Sequence, residues 1–451
     1  YPLPFELATG NWQPAIALSG FLGLSLLMAL FTRWMSADPP SPYLRQQNQD
    51  ASELDRRARL WSVGYVFGLA AAVLAAAAYR FLASLDDFWL DEIWSWLIVT
   101  RVQSASQIFT DIRHDNNHFL NTWIMHGLGA DCHWFFYRLP AVAAGIATVA
   151  MCGWTARRWG RLAVLTATLI TGASFPLIQY SSEARGYAYA LFFAVAAFEI
   201  LQESLDRPRN WLDAMFACCA VLGLLAHITF VYAYVALVGW SLWRLFRRHG
   251  IWSSRHWAVL VWQILVPGIV LAWLYFVNLR YLVVGGGDEQ PWGTVIRQAL
   301  SLAVGGPQAE PWAGIVAIFV LVAAGLAFYQ VHRAGSDLWL PLGACIFVLP
   351  ALSLLATRPA VVYPRYFLVS MLFLQLLISW WLVRVFHGSR HGKILYAVFL
   401  LAILTGNAVS TSRFLAYGRG GYQAALQFML EHSSDRDLTV GSDHDFRNSL
   451  V

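Results

Sequence analysis

The chain has 451 residues, 58% of them hydrophobic and 13% charged, with a formal net charge of +5. Soluble domains carry roughly 25% charged residues, so the composition excludes a soluble globular body and points to a polytopic membrane protein. The positive balance does not mark a nucleic-acid partner: Lys393 is the only lysine, and the arginines are scattered over short loops rather than gathered in one patch.

A spanning helix needs about 20 mostly apolar residues. Twelve stretches qualify, at roughly 12–33, 60–83, 138–156, 161–180, 187–202, 211–228, 229–246, 257–276, 311–331, 337–356, 366–386 and 393–412. The first, with the polar linker that follows it (PPSP, RQQNQD), makes 1–59 an added anchor ahead of a core at 60–412. Almost no polar turn separates the pair around residue 228. The tail, 413–451, ends in DLTVGSDHDFRNSLV, which reads as the start of a strand in a small or truncated soluble region. The 22 tryptophans suit interfacial belts. The five cysteines form no C-x-x-C pair and lie mostly in apolar runs, so they read as small core residues rather than a disulfide or metal framework. No internal repeat is visible, which gives an inverted-repeat transporter no support.

One set of alternating loops holds eighteen of the 31 basic residues, from Arg33 through Arg157, Arg158, Arg244 and Arg333 to Lys393. Positive-inside logic makes that set cytoplasmic. Residues 84–137, 277–310 and the tail then stand on the outer side, and loops this long are usually functional. The first of them opens with LDDFWLDEIWSW (85–96), four carboxylates among three tryptophans and a phenylalanine. Asp87 and Asp91 are spaced i, i+4 and would share a helix face. A general base or a divalent-metal site would each use such a pair, and an interfacial helix with solvated acids would carry it too.

The loop continues RHDNNHFLNTWIMHGLG (113–129), with Arg113, His114, Asp115, Asn116, Asn117, His118 and His126. These groups suit a sugar or a metal, although H-D-N-N-H has no standard ligand spacing. His126, among Leu and Met at helical spacing, reads as a packed histidine, and His118, framed by amides, is the better functional candidate. Arg138 stands at the outer mouth of the next span, where it can snorkel or clamp a phosphate. Glu183 and Arg185 sit at another outer turn (QYSSEARGYAYA), either as a self-satisfied pair or as functional groups near membrane depth. His227 lies at a third, and TRPAVVYPRYF (357–367) brings Arg358, Arg365 and Tyr366. Four arginines, Arg138, Arg185, Arg358 and Arg365, therefore reach one side, which an anionic, partly lipidic ligand explains better than unrelated anchors.

In this ordered set the chain resembles the GT-C superfamily of polytopic glycosyltransferases, in particular the protein mannosyltransferase and aminoarabinose lipid A transferase branch. The likeness covers about 60–412. It rests on Asp91-Glu92 after the first core helix, His118 later in that loop, Arg138-Leu139-Pro140, Glu183-Ala184-Arg185-Gly186-Tyr187 and Pro364-Arg365-Tyr366. The sequence departs from the family at N-H-F-L, where H-P-P-L is common, and in its extra N-terminal helix.

The resemblance implies an all-α membrane fold of about twelve spanning helices, an eleven-helix core plus the extra one, with short interfacial helices in the first outer loop. It implies transfer of a sugar from a polyprenyl-phosphate donor to an acceptor at the periplasmic face of a bacterial inner membrane, with membrane lipids as the other partners. Asp91 would be the acid-base residue, Glu92 and His118 would assist, and Arg138, Arg185, Arg365 and Tyr366 would hold the donor phosphate. Asp87, Asp115, Asn117, Glu183, Tyr187 and His227 would line the substrate. No cofactor is required, and a divalent metal at Asp87 and Asp91 is compatible with the chemistry. The rival readings are a transporter of an anionic lipid or sugar, and a non-catalytic assembly subunit that keeps a transferase-like fold.

Overall fold

A computed structural model describes residues 51–249, 254–282 and 289–433. The expected first span, most of the linker after it and the strand expected near the C-terminus lie outside these residues. The described chain is helical throughout its regular structure. Helices α1 (Ala51–Ala83), α2 (Leu90–Arg101), α3 (Ala105–Thr110), α4 (Phe119–Leu128) and α5 (Trp134–Ala156) come first. They are followed by α6 (Arg161–Ala173), α7 (Phe175–Ser181), α8 (Tyr187–Asp206), α9 (Asn210–Ala226) and α10 (Val231–His249). Next are α11 (Ser254–Ala258) and α12 (Val266–Val277), joined by a π-helical stretch, then α13 (Trp292–Ala303) and α14 (Trp312–Arg333). A second π-helical stretch joins α15 (Trp339–Gly343) to α16 (Leu349–Thr357), and α17 (Leu368–Gly388), α18 (Arg390–Tyr417) and α19 (Tyr422–Glu431) complete the chain.

Among the described residues nine helices are long and apolar enough to cross a membrane, α6 with α7 forms a tenth as a bent pair, and α9 is a shorter apolar helix. These helices coincide in position with the eleven stretches expected after residue 60, of which nine, or ten with the bent pair, qualify as spans by length and composition. The weak boundary near residue 228 is real: His227 takes an extended conformation (φ −162°, ψ 136°) and its Nδ1 accepts from the Thr229 N–H, ending α9 before α10 begins. Burial sorts centre from periphery. The spans Pro364–Gly388 and Tyr187–Asp206 are 89% and 78% buried, against 22% for Arg255–Tyr281. The inner face of α8 carries Ala188, Ala190, Ala194 and Ala197, all buried, and such small residues let helix backbones approach closely. Outer helices instead turn large apolar side chains such as Ile318 and Phe319 outward, toward what would be hydrocarbon.

The break between α6 and α7 bends the chain by 61°. Backbone polar groups freed inside a membrane must find partners within the protein, and here two buried polar side chains supply them while a third braces the bend through a serine hydroxyl. Arg80 donates to the carbonyls of Gly172 and Thr171 at 3.1 and 3.3 Å, capping the last turn of α6, where a cation also suits the helix dipole. Asn407 Oδ1 accepts from the Phe175 N–H at 2.7 Å, and Gln375 donates to Ser174 Oγ at 2.9 Å. The braced bend positions α7, and with it the Glu183–Arg185 turn.

The 84–137 loop folds into α2, α3 and α4, as expected of a loop with short helices. Asn121 Nδ2 ties α4 to the Ala184 carbonyl at 2.7 Å, and Asn278 Nδ2 ties the end of α12 to Phe109 and Ile112. The 277–310 segment contributes the amphipathic α13, packed on α14 and α17.

Candidate active site

Asp91 and Glu92 occupy the first turn of α2, where the helix dipole favours carboxylates, but they face different partners. Glu92 is fully buried and takes Arg138 Nε and Nη2 at 2.8 and 2.5 Å. It also accepts the N–H groups of Ala184 and Trp89, at 2.7 and 3.3 Å. Arg138 gives its remaining donors to the carbonyls of Ser84, Asp86 and Asp87. A guanidinium has five N–H donors, and all five are spent inside the protein. The arginine expected to grip a phosphate is therefore a brace of the 84–92 corner, and the Glu92 expected to assist the chemistry is its enclosed counter-ion.

Asp91 is different. Its Oδ2 accepts from Arg185 Nη1 at 2.6 Å and from Arg365 Nη1 at 3.0 Å. Oδ1 accepts no hydrogen bond among the described residues. Arg185 also donates Nη2 to Asn116 Oδ1 at 2.7 Å. The Nε–H groups of both Arg185 and Arg365 are buried without a partner. An unmade bond of this kind is costly for a charged group, so these donors are aimed at something the folded chain does not supply. The same guanidiniums lie 5.8 and 5.9 Å from the Trp89 ring, and a third, Arg419, stacks on it at 4.0 Å.

Arg419 arrives from the segment that follows the last span. Its Nη1 is 2.6 Å from Glu183 Oε1, and with the Gln179 amide turned so that its oxygen faces the guanidinium, Nε donates to that oxygen at 2.6 Å. Gly418, with φ +61°, makes the turn that admits it; a Cβ there would collide with the Asp86 carboxylate. Burial pushes the Glu183 carboxyl up to about 7; Arg419 pulls it down, and the Glu92 charge adds to the rise.

His118 caps the start of α4 and its Nδ1 accepts from the Gly186 N–H at 2.9 Å, so Nε2 carries the proton. Burial and the charge of Arg185 hold it well below the ordinary histidine range, and burial likewise lowers His227 to about 3. Both rings pack against Tyr187, with centroids at 5.4 and 4.2 Å. Gly186 is indispensable to this packing, since a Cβ would fall 1.8 Å from the Ala226 carbonyl oxygen.

The structure thus brings Asp91, His118, Glu183, Arg185, Tyr187, His227 and Arg365 together, with Tyr366 beside Arg365 at 5.9 Å. Other expectations are corrected. Asp87 lies in the non-helical stretch before α2, so the i, i+4 helical pair with Asp91 does not form. Asn117 donates to the carbonyls of Ile108 and Ile112 at 2.7 and 3.1 Å, which makes it a loop tie. Asp115 pairs with His114 at 3.1 Å and stays beside the cluster, its charge acting on Tyr366. Arg358 is exposed, ends α16 in the left-handed region (φ 44°), and stands apart from the cluster. No group of three or more His, Cys, Asp or Glu side chains among the described residues could hold a metal ion. Sequence reasoning gives no site role to Trp89 or Arg419, and it names Asn116 only among the polar groups of its loop. Trp89 looks like one more interfacial ring and Arg419 like a snorkelling anchor; only the flanking glycines of G-R-G-G hint at a tight entry.

Fold and site together define a polytopic, all-helical membrane protein with a cluster of buried charges at one end of its bundle. No family model matches the chain, and no curated protein matches it by sequence. Among solved structures it is similar to the crystal structure of the Archaeoglobus fulgidus oligosaccharyltransferase in complex with Zn and sulfate. The TM-score is 0.51 at 12% identity, over 82% of this chain and 56% of that one. At that identity the likeness is one of fold, and this chain spans little more than half of its neighbour.

Proposed function

We propose that the chain is a membrane glycosyltransferase that moves a sugar from a polyprenyl-phosphate donor to an acceptor hydroxyl on the periplasmic side. One observation carries the reading: Arg185 and Arg365 converge on a single oxygen of Asp91 while keeping buried, unpartnered N–H donors beside it. A fixed carboxylate next to unspent guanidinium donors is the pair of functions this transfer needs. Asp91 Oδ1 takes the proton of the acceptor hydroxyl. The acceptor oxygen forms its bond to the anomeric carbon from the side opposite the phosphate. The carbon–oxygen bond to phosphate breaks with its electron pair on the phosphate, and Arg185 and Arg365 stabilise the charge that appears there. Displacement from the opposite face inverts the anomeric centre. Neutral His118 offers its Nε2–H as a hydrogen-bond donor, and Tyr187 and His227 wall the site from water. The displacement runs on side chains alone and needs no metal.

The test is transfer itself. The purified chain in lipid vesicles is given labelled polyprenyl-phosphate sugars and a panel of acceptor hydroxyls. Label should move to an acceptor with wild type and not with folded Asp91→Asn. Transfer that survives Asp91→Asn at the wild-type rate overturns the assignment.

A further inference from the structure

The charge set around Trp89 is completed by a residue from outside the GT-C-like core. Asp91 serves two arginines, and Glu183 serves the third, Arg419. These two pairings are unequal. Asp91 makes hydrogen bonds to both of its partners. The Glu183–Arg419 contact is close at 2.6 Å but lacks hydrogen-bond geometry, so both Glu183 oxygens and Arg419 Nη1 are buried with no hydrogen bond. Arg419 sits 4.0 Å over the Trp89 ring that Arg185 and Arg365 also approach. It is therefore next to their unspent donors, and it is held by the least committed ion pair of the cluster.

We propose that Arg419 is a further donor-phosphate-binding residue, which exchanges Glu183 for the phosphate of the lipid-linked donor when that donor binds. This rests on the glycosyltransferase reading above and deepens it. The strap 418–421 follows directly from α18 and carries Gly418, Gly420 and Gly421 around the arginine, so the guanidinium enters on a short backbone turn.

The exchange leaves Glu183 without its cation and next to a new anion. Arg419, Arg185, Arg138, Glu92 and Asp91 are the charged groups that act on it. Losing Arg419 raises its proton affinity further, from about 7 in the free protein. Donor binding should then take up a proton. Affinity is greatest below pH 7, where Glu183 is already neutral, and weakens by up to about tenfold per pH unit above it.

The experiment measures binding of a short polyprenyl methyl phosphodiester, whose single charge is constant from pH 5.5 to 9, to the full chain in nanodiscs. The uncharged polyprenol serves as control. Wild type should prefer the phosphodiester and lose affinity above pH 7. Arg419→Ala should bind on the order of tenfold or more weakly, as expected for loss of a charged hydrogen-bond donor, with a flat pH profile. Glu183→Gln keeps Arg419 and should bind well at pH 8.5 with no pH dependence. It also stands as the test if Arg419→Ala fails to fold. A lower melting temperature with unchanged affinity for Arg419→Ala, or a wild-type pH slope in Glu183→Gln, overturns the proposal. If Arg365→Ala weakens binding in the same assay, the glycosyltransferase reading survives that result. If wild type fails to discriminate phosphodiester from polyprenol, the underlying reading falls, and this one with it.

Discussion

The two ends of the helical bundle handle arginine in opposite ways. At the end rich in basic residues, Arg158 meets Glu199, Glu203 and Asp206, and Arg244 meets Asp206 and Asp337. Arg255 is closed by the buried Asp213, which Ser204 and Gln263 also hold. Cations there find carboxylates in plenty, and the network ties neighbouring spans. About 30 Å away, one 20-residue span distant, Arg185 and Arg365 must share Asp91 and keep Nε–H groups unspent. Even there Arg138 is saturated by Glu92 and three carbonyls. Arginine content therefore says little about function; the accounting of donors against acceptors separates a brace from a ligand site.

That contrast can be broken most sharply at Asp91. Asp91→Asn should cost about 10²- to 10⁴-fold in transfer rate, the usual worth of a positioned base, with a melting temperature lowered by the charge that Arg185 and Arg365 lose but held above that of a full deletion, because the Asn carbonyl still accepts from them. Glu92→Ala, one residue on, should do the reverse. Leaving Arg138 as an uncompensated buried charge costs about 3–5 kcal/mol, to be read as a large drop in melting temperature or failure to fold. A Glu92→Ala protein that melts like wild type would refute the brace.

The histidines give a smaller, pH-dependent effect. Both His118 and His227 have folded-state proton affinities below the ordinary histidine value. Their stabilising contribution is present above about pH 6.5 and is lost as pH falls below it, with a slope of at most about 1.4 kcal/mol per pH unit for each histidine. Acid melting of His227→Gln should be correspondingly shallower than that of wild type. The smallest effect belongs to the other end: Arg158→Ala should cost under about 1 kcal/mol, and less in high salt. A loss as large as that of Glu92→Ala would erase the distinction between the two ends.

Much of the bundle was legible beforehand. The apolar helices fall where hydropathy places them because hydropathy is local and the cost of a charge in hydrocarbon is set residue by residue. The meeting of Asp91 with Arg185 and Arg365 agrees with the order of the motifs along the chain. Two features escape local reading. Spacing alone puts Asp87 on a helix face, yet α2 starts only at Leu90. The chemistry of Arg138 and Asn117 suits a ligand, but Asn117 spends its donors on backbone carbonyls and Arg138 divides its five between three carbonyls and Glu92. No residue pattern announces such a carbonyl, because every residue carries one.

The chain by itself determined that it crosses a membrane many times, where most helices lie, and that its acidic corner and several arginines fall at one end. These follow from composition and short-range periodicity. Only the tertiary structure decided which of two adjacent carboxylates is sealed and which is offered, and that a tail residue completes the cluster. Glu92 meets Arg138 across 46 positions, while Asp91 meets Arg185 across 94 and Arg365 across 274. Pairings that distant depend on how the spans pack, and packing distributes hydrogen-bond partners in ways no local segment encodes.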